Sequence, residues 1–189
     1  MTIQFVNIAK AQITQTLLSS LLERGGYRVT KLGIEELFGE IKYLDLQSYM
    51  ALNLPLQLRY LPDLLVANKE TNKIRMIEVK FRKRFDETSA NDLFGELTNQ
   101  RQYWPQSYAV IIVAEPAIPD GKFHQDYIRI LEPNRTDWLI DQKFSITRRW
   151  ERLAQIYHVF DDLGETKLLY NADSITPALK QLSQLIEKQ

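Results

Sequence analysis

The run Tyr108–Ala114 (YAVIIVA) does most to restrict the fold of this chain. It places seven apolar residues in a row, rich in branched types, and leaves no side polar enough for water. A strand of this kind is covered on both faces, as at the centre of a sheet flanked by helices. It is the longest apolar run in the chain, and it falls well short of the roughly 20 residues that a membrane span needs. The N-terminal MTIQFVNIAKAQITQ lacks the long apolar centre of a secretory signal. The expectation is a soluble, cytoplasmic protein with no membrane partner.

The segments before that strand predict its neighbours. Leu64–Ala67 and Ile74–Phe81 read as two strands around the polar turn 68–73, an antiparallel hairpin. Leu56–Leu61 (LQLRYL) alternates and predicts a further stretch of strand, with Pro62 forcing an edge or bulge. After a polar loop, Ser89 and Asp92 resemble a capping box, and Leu93, Leu97, Gln100 and Trp104 mark a helix face that Pro105 ends. Strand, helix and buried strand imply a right-handed crossover with parallel pairing.

Upstream, Val6, Ala9, Ile13, Leu17 and Leu21 recur at helical spacing. Gln12, Gln15, Ser19 and Glu23 lie opposite them, and Gly25-Gly26 stops the helix. Tyr27–Lys31 then reads as a strand. Ile34, Leu37, Phe38 and Ile41 predict a short helix bearing Glu36 and Glu40, and the pattern assigns nothing further up to Asn53. Downstream, Tyr127–Leu131 predicts a strand and Thr147–Phe160 a helix with Trp150, Leu153, Ala154 and Tyr157 inward. Thr176-Pro177 opens a last helix carrying Leu179, Leu182 and Ile186. The expected organisation is one α/β domain, with a core over 3–114 and a helical and strand extension over 115–189 packed on it.

Composition removes several chemistries. The absence of cysteine excludes thiol nucleophiles, thiolate metal sites and disulfides. His124 and His158 are the only histidines and lie far apart, so one chain holds no multi-histidine metal site and no arrangement that marks a triad. Glycine-rich phosphate loops are absent, which argues against a dinucleotide or nucleoside triphosphate site. Lys plus Arg equals Asp plus Glu at 24 each, so any attraction for nucleic acid must be local. Lys80-Phe81-Arg82-Lys83-Arg84 is one such basic run, readable as a contact to phosphate backbone or as a solvated loop. Arg148, Arg149 and Arg152 around Trp150 form a second, with Trp150 better explained as a core anchor. Tyr103-Trp104 admits base stacking, although packing fits it better.

The chemically informative stretch is Pro62-Asp63 followed by Glu78-Val79-Lys80. Alternation places Glu78 and Lys80 on one face of their strand and Ile77 and Val79 on the other. Asp63 begins the neighbouring strand and can approach Glu78 across the pair. Two carboxylates brought together repel unless a cation joins them, and a hard ion such as Mg²⁺ or Mn²⁺ suits oxygen ligands completed by water and a phosphate. Lys80, two positions on, would either orient the nucleophile or stabilise the transition state. The plain alternative is a surface ion pair, which contributes about 0–1 kcal/mol and carries no function.

At these residues the chain resembles the PD-(D/E)XK phosphodiesterase superfamily, the fold of many restriction endonucleases and archaeal Holliday-junction resolvases. Gly26, Tyr27 and Val29 are similar to the entry of the resolvase-like branch, and the order helix, three strands, helix, strand over 3–114 resembles that family's αβββαβ core. The resemblance implies Asp63 and Glu78 as metal ligands, the main-chain carbonyl of Val79 as another, and Lys80 as the catalytic lysine. It also implies a glutamate on the first helix, where only Glu23 at the helix end, or Glu36 beyond it, is on offer. In one branch Gln precedes Tyr by four positions, whereas Gln100 precedes Tyr103 by three. The resulting expectation is a metal-dependent endonuclease acting on DNA, with a homodimer as the form that cuts both strands. The alternative is a catalytically inactive nuclease fold serving as a nucleic-acid-binding or scaffold module. A third reading is an interaction protein with no nucleic-acid role.

Overall fold

The computed structural model describes residues 3–68, 70–71, 73–118 and 124–160. The predicted helix at Thr176-Pro177 lies outside them. Helix α1 (Ile3–Arg24) ends at the glycine pair: Gly25 N–H donates to Leu21 O, Gly26 N–H donates to Glu23 O, and Gly26 takes φ 96°. A side chain there would be strained, so the pair turns the chain directly into strand β1 (Tyr27–Lys31).

Four short helical pieces follow: α2 (Ile34–Leu37), a 3-10 turn (Ile41–Tyr43), α3 (Leu46–Ala51) and α4 (Leu56–Arg59). The expected strand over 56–61 is therefore a helix. Its two flanking prolines, Pro55 and Pro62, cannot donate to a ladder. Strand β2 (Leu64–Asn68) already pairs on one side with β1 and on the other with β3 (Ile74–Arg82), which leaves no place for an extra strand. The hairpin is antiparallel as its turn chemistry requires, and the Asn68 side-chain oxygen accepts from Glu70 N and Thr71 N at 2.7 Å each.

Helix α5 (Glu87–Arg101) carries the chain back. Its cap is Asp86, whose carboxylate accepts from Ser89 N at 2.9 Å, rather than Ser89 as the sequence pattern suggests. Ser89 instead donates its hydroxyl to Arg84 O. Leu93, Leu97 and Gln100 form the buried face as expected, while Trp104 lies beyond the helix. Strand β4 (Tyr108–Val113) pairs parallel with β3, and β5 (Ile128–Leu131) pairs antiparallel with β4.

The result is a five-stranded mixed, open sheet in the order β1-β2-β3-β4-β5. Residues Ala109 to Val113 are at most 1% exposed, so the apolar run is the centre of the sheet. Gln100 and Glu96 of α5 reach side chains on one face of β3. On the other face, Phe160 packs edge-on against Tyr27 at 5.1 Å and beneath Arg75 at 5.3 Å.

The predicted helix over Thr147–Phe160 is two pieces, α6 (Ile146–Glu151) and α7 (Ile156–Val159). Between them Ala154 forms a bridge with Ile130, exchanging bonds of 2.8 and 2.9 Å with the outer edge of β5. Pairing with an open strand edge outweighs helix continuation there. Trp150 is fully buried against Phe85, as a core anchor would be. Arg149 does not belong to a surface basic patch. It is 2% exposed and donates to Leu139 O, Asp141 O, Phe144 O and the Glu87 carboxylate.

Candidate active site

The β2–β3 register decides how the key residues meet. Leu64 faces Ile77, and one step outward lie Asp63 and Glu78. The pairing ends at Leu64 and Ile77, and just beyond it the Asp63 carboxylate turns to the main-chain N–H of Val79. Glu78, Lys80 and Arg82 share one face of β3 by alternation. The loop before β2 is pinned by Asp63 O, which accepts from Leu32 N at 2.8 Å.

Each carboxylate is held by named donors. Asp63 Oδ2 accepts from Val79 N and Oδ1 from Gln15 Nε2 of α1, both at 2.7 Å. Glu78 Oε2 accepts from Gln100 Nε2 at 2.5 Å, and its Oε1 lies 2.8 Å from Lys80 Nζ. Lys80 also reaches Glu96 Oε2 at 3.1 Å, and Glu96 Oε1 takes Arg82 Nη2 at 2.7 Å. The chain Gln100–Glu78–Lys80–Glu96–Arg82 is thus one continuous network from the sheet to α5.

Electrostatics fix the state of Lys80. Burial works to lower its pKa, but the charges of Glu78 and Glu96 outweigh burial and hold it above the ordinary lysine value. At neutral pH Lys80 is an ammonium, a donor and a cation rather than a base. Burial likewise works to raise the Glu96 carboxyl, and the Lys80 and Arg82 cations together bring it below its ordinary value.

The expected helix carboxylate does not join this network. Glu23 and Glu36 are both exposed, and the donors that hold Asp63 and Glu78 come from other residues. The first-helix residue that does reach Asp63 is Gln15. Its signal in the sequence is faint: a polar residue beside Thr14, which is itself fully buried. Glu96 is the second residue that sequence reasoning does not single out. It sits four before Gln100, the spacing that places both on one line of α5.

The basic run is neutralised in this form. Lys80 and Arg82 pair as above, Lys83 lies 3.6 Å from Glu115, and Arg84 lies 2.6 Å from Asp86. The last two pairs are solvent-exposed and bind weakly, so they exchange partners readily. Tyr103 stacks on Tyr60 with centroids 5.4 Å apart, and Trp104 donates to Gln57 O at 3.0 Å. Both aromatics fasten α4 to the end of α5.

A cavity of about 450 Å³ opens beside the network, between Ala11 and Thr14 of α1, Lys80 and Arg82 of β3, and Asp92 and Glu96 of α5. Among the described residues no group of three or more His, Cys, Asp and Glu gathers to hold a metal by protein ligands alone. An ion such as Mg²⁺ characteristically keeps several waters and takes one or two protein carboxylates, a number that Asp63 and Glu78 would supply. No helix among the described residues is long and apolar enough to cross a membrane.

Comparison with protein-family models, curated proteins and solved structures gives no match to this chain.

Proposed function

We propose that this chain is a metal-dependent nuclease that hydrolyses DNA phosphodiester bonds through Asp63, Glu78 and Lys80 on a restriction-endonuclease-like core. The observation that carries the reading is Asp63 one step beyond the Leu64–Ile77 pair, its carboxylate on Val79 N, with the Lys80 ammonium 2.8 Å from Glu78 on the next strand. The element order α1, β1, β2, β3, α5, β4, with short helices inserted before β2, supports the αβββαβ core.

Asp63, Glu78 and the carbonyl of Val79 would hold Mg²⁺ or Mn²⁺. When bound, such an ion polarises the phosphoryl group and lowers the pKa of coordinated water. The chain's own residues do the rest. Val79 N–H and Gln15 hold the Asp63 carboxylate, and Gln100 fixes that of Glu78. As a charged donor, Lys80 stabilises negative charge building on the phosphate oxygens. Its contact to Glu96 must loosen for the ammonium to turn toward substrate, and the exchangeable pairs of Lys83 and Arg84 supply cations for flanking phosphates.

A second reading is a catalytically inactive nucleic-acid-binding or scaffold module. It is favoured by Gln15 standing where the resemblance calls for a glutamate, and by amide and ammonium donors already satisfying both carboxylates. The deciding assay offers plasmid, single-stranded and branched DNA with Mg²⁺ or Mn²⁺, beside an EDTA control and Lys80→Ala. The expected result is metal-dependent cutting, abolished by EDTA and reduced by about 100-fold or more in the variant. An unimpaired Lys80→Ala enzyme removes Lys80 from the chemistry. A folded wild type that binds DNA in a salt-dependent way and cuts nothing leaves the binding module.

A further inference from the structure

Arg101, the last residue of α5, lies apart from the Lys80 network. Its Nη2 donates to Glu132 O at 2.8 Å and Leu131 O at 3.4 Å, which ties the helix end to the end of β5. That structural task uses one of its three nitrogens. Nε and Nη1 are buried with no partner, and Arg101 makes no ion pair among the described residues. Burial lowers its pKa. Thr98, one turn earlier, also buries a hydroxyl oxygen without a partner.

A half-buried guanidinium with two shielded, unpartnered nitrogens is ordinarily matched by an anion, because shielding an unmatched charge from water is costly. Among the described residues no group matches it, and there is space for one. Thr98 and Arg101 line a cavity of about 290 Å³ with Asn134 and Thr136. Asn134 is held there in the left-handed region, at φ 77°. It also lines an adjoining cavity of about 510 Å³ that carries Arg135 and Arg152. Arg135 and Arg152 are exposed and make no ion pair among the described residues, and Glu132 is the acidic residue on that wall.

We propose that the cavity between Thr98, Arg101 and Thr136 binds a phosphate group, with Arg135 and Arg152 at its entrance. A guanidinium, two hydroxyls and an amide suit a tetrahedral oxyanion with several acceptors. Binding turns the shielded guanidinium toward the cavity that its side chain already lines. The site does not rest on the nuclease reading. Its phosphate comes either from a nucleic-acid strand or from a free phosphate, and the two are separable.

The test is calorimetric titration of the folded, metal-free chain with inorganic phosphate, and anisotropy of a labelled DNA duplex in the same buffer. Wild type is expected to bind phosphate, and Arg101→Gln to bind it about tenfold more weakly or not at all. Thr98→Val, which keeps the helix and its shape, is expected to weaken it by a smaller factor. Should Arg101→Gln fail to fold, Thr98→Val and Arg152→Gln carry the comparison. DNA binding that falls in the same variants and is competed by phosphate assigns the site to a strand. DNA binding unchanged in variants that lose phosphate assigns it to the free anion. No heat from phosphate in folded wild type, or equal affinity in all variants, overturns the site. Because no divalent ion is present, a failed cleavage assay leaves this result untouched.

Discussion

Asp63 accepts at both carboxylate oxygens, and that dictates what its amide replacement does. An asparagine at this position would offer one oxygen, which Val79 N needs, and one NH₂ group, which Gln15 meets only by turning its amide over, and the charge on both bonds is lost. Asp63→Asn is expected to cost about 1–3 kcal/mol by urea denaturation and to weaken Mg²⁺ binding measured by calorimetry. A variant with unchanged stability would mean that the two bonds are readily replaced by water. Glu96 makes a prediction about pH. Its folded pKa lies below the ordinary 4.5, so its contribution to stability is complete above that value and fades as pH falls through the depressed folded value. The difference in melting temperature between wild type and Glu96→Gln is expected to be steady near neutral pH and to close on acidification below about 4.5. Lys80 works with the opposite sign. Its raised pKa contributes fully below 10.5, and that contribution fades as pH rises through the folded value.

At the level of elements, α5 depends on a cap that the sequence pattern places three residues too late. Asp86→Ala is expected to lower stability by about 1 kcal/mol, since its carboxylate satisfies Ser89 N. Asp92→Ala, at an exposed position, is expected to stay within about 0.5 kcal/mol. Equal effects in paired denaturation curves would disprove the assignment of the cap. Asp86 and Ser89 both suit a helix start, and the choice between them comes from Ser89 bonding back to Arg84 O, a tertiary detail. The strands are legible for a simpler reason. Tyr108–Val113 and Ile74–Arg82 are each specified by burial on known faces, and the glycine pair after α1 leaves one place for the turn. Leu56–Arg59 is not legible, because alternation over so few residues fits a short exposed helix equally well. In the candidate site, the nearness of Asp63, Glu78 and Lys80 is legible because hairpin pairing is local. Gln15 and Glu96 reach the site through long-range packing of two helices, for which a single sequence carries no register.

Across the whole molecule, Arg149 joins the region after β5 to the start of α5. It gathers three backbone carbonyls and the Glu87 carboxylate around one buried guanidinium. Arg149→Leu keeps bulk and strands those acceptors. It is expected to cost about 1–3 kcal/mol, read as a lower urea midpoint. An unchanged midpoint would show that water replaces the clamp.

The strands lie in space in the order in which they occur in the chain, β1 through β5. Each strand can therefore dock on the one made just before it as the polypeptide leaves the ribosome, without waiting for a distant partner. Asp63 and Glu78 come to neighbouring strand ends once a single hairpin has closed, whereas Gln100 reaches Glu78 only after α5 has emerged and folded back. For an interval during synthesis the two acids stand together with part of their support missing. The nascent chain thus carries both acids before it carries the helix that steadies one of them.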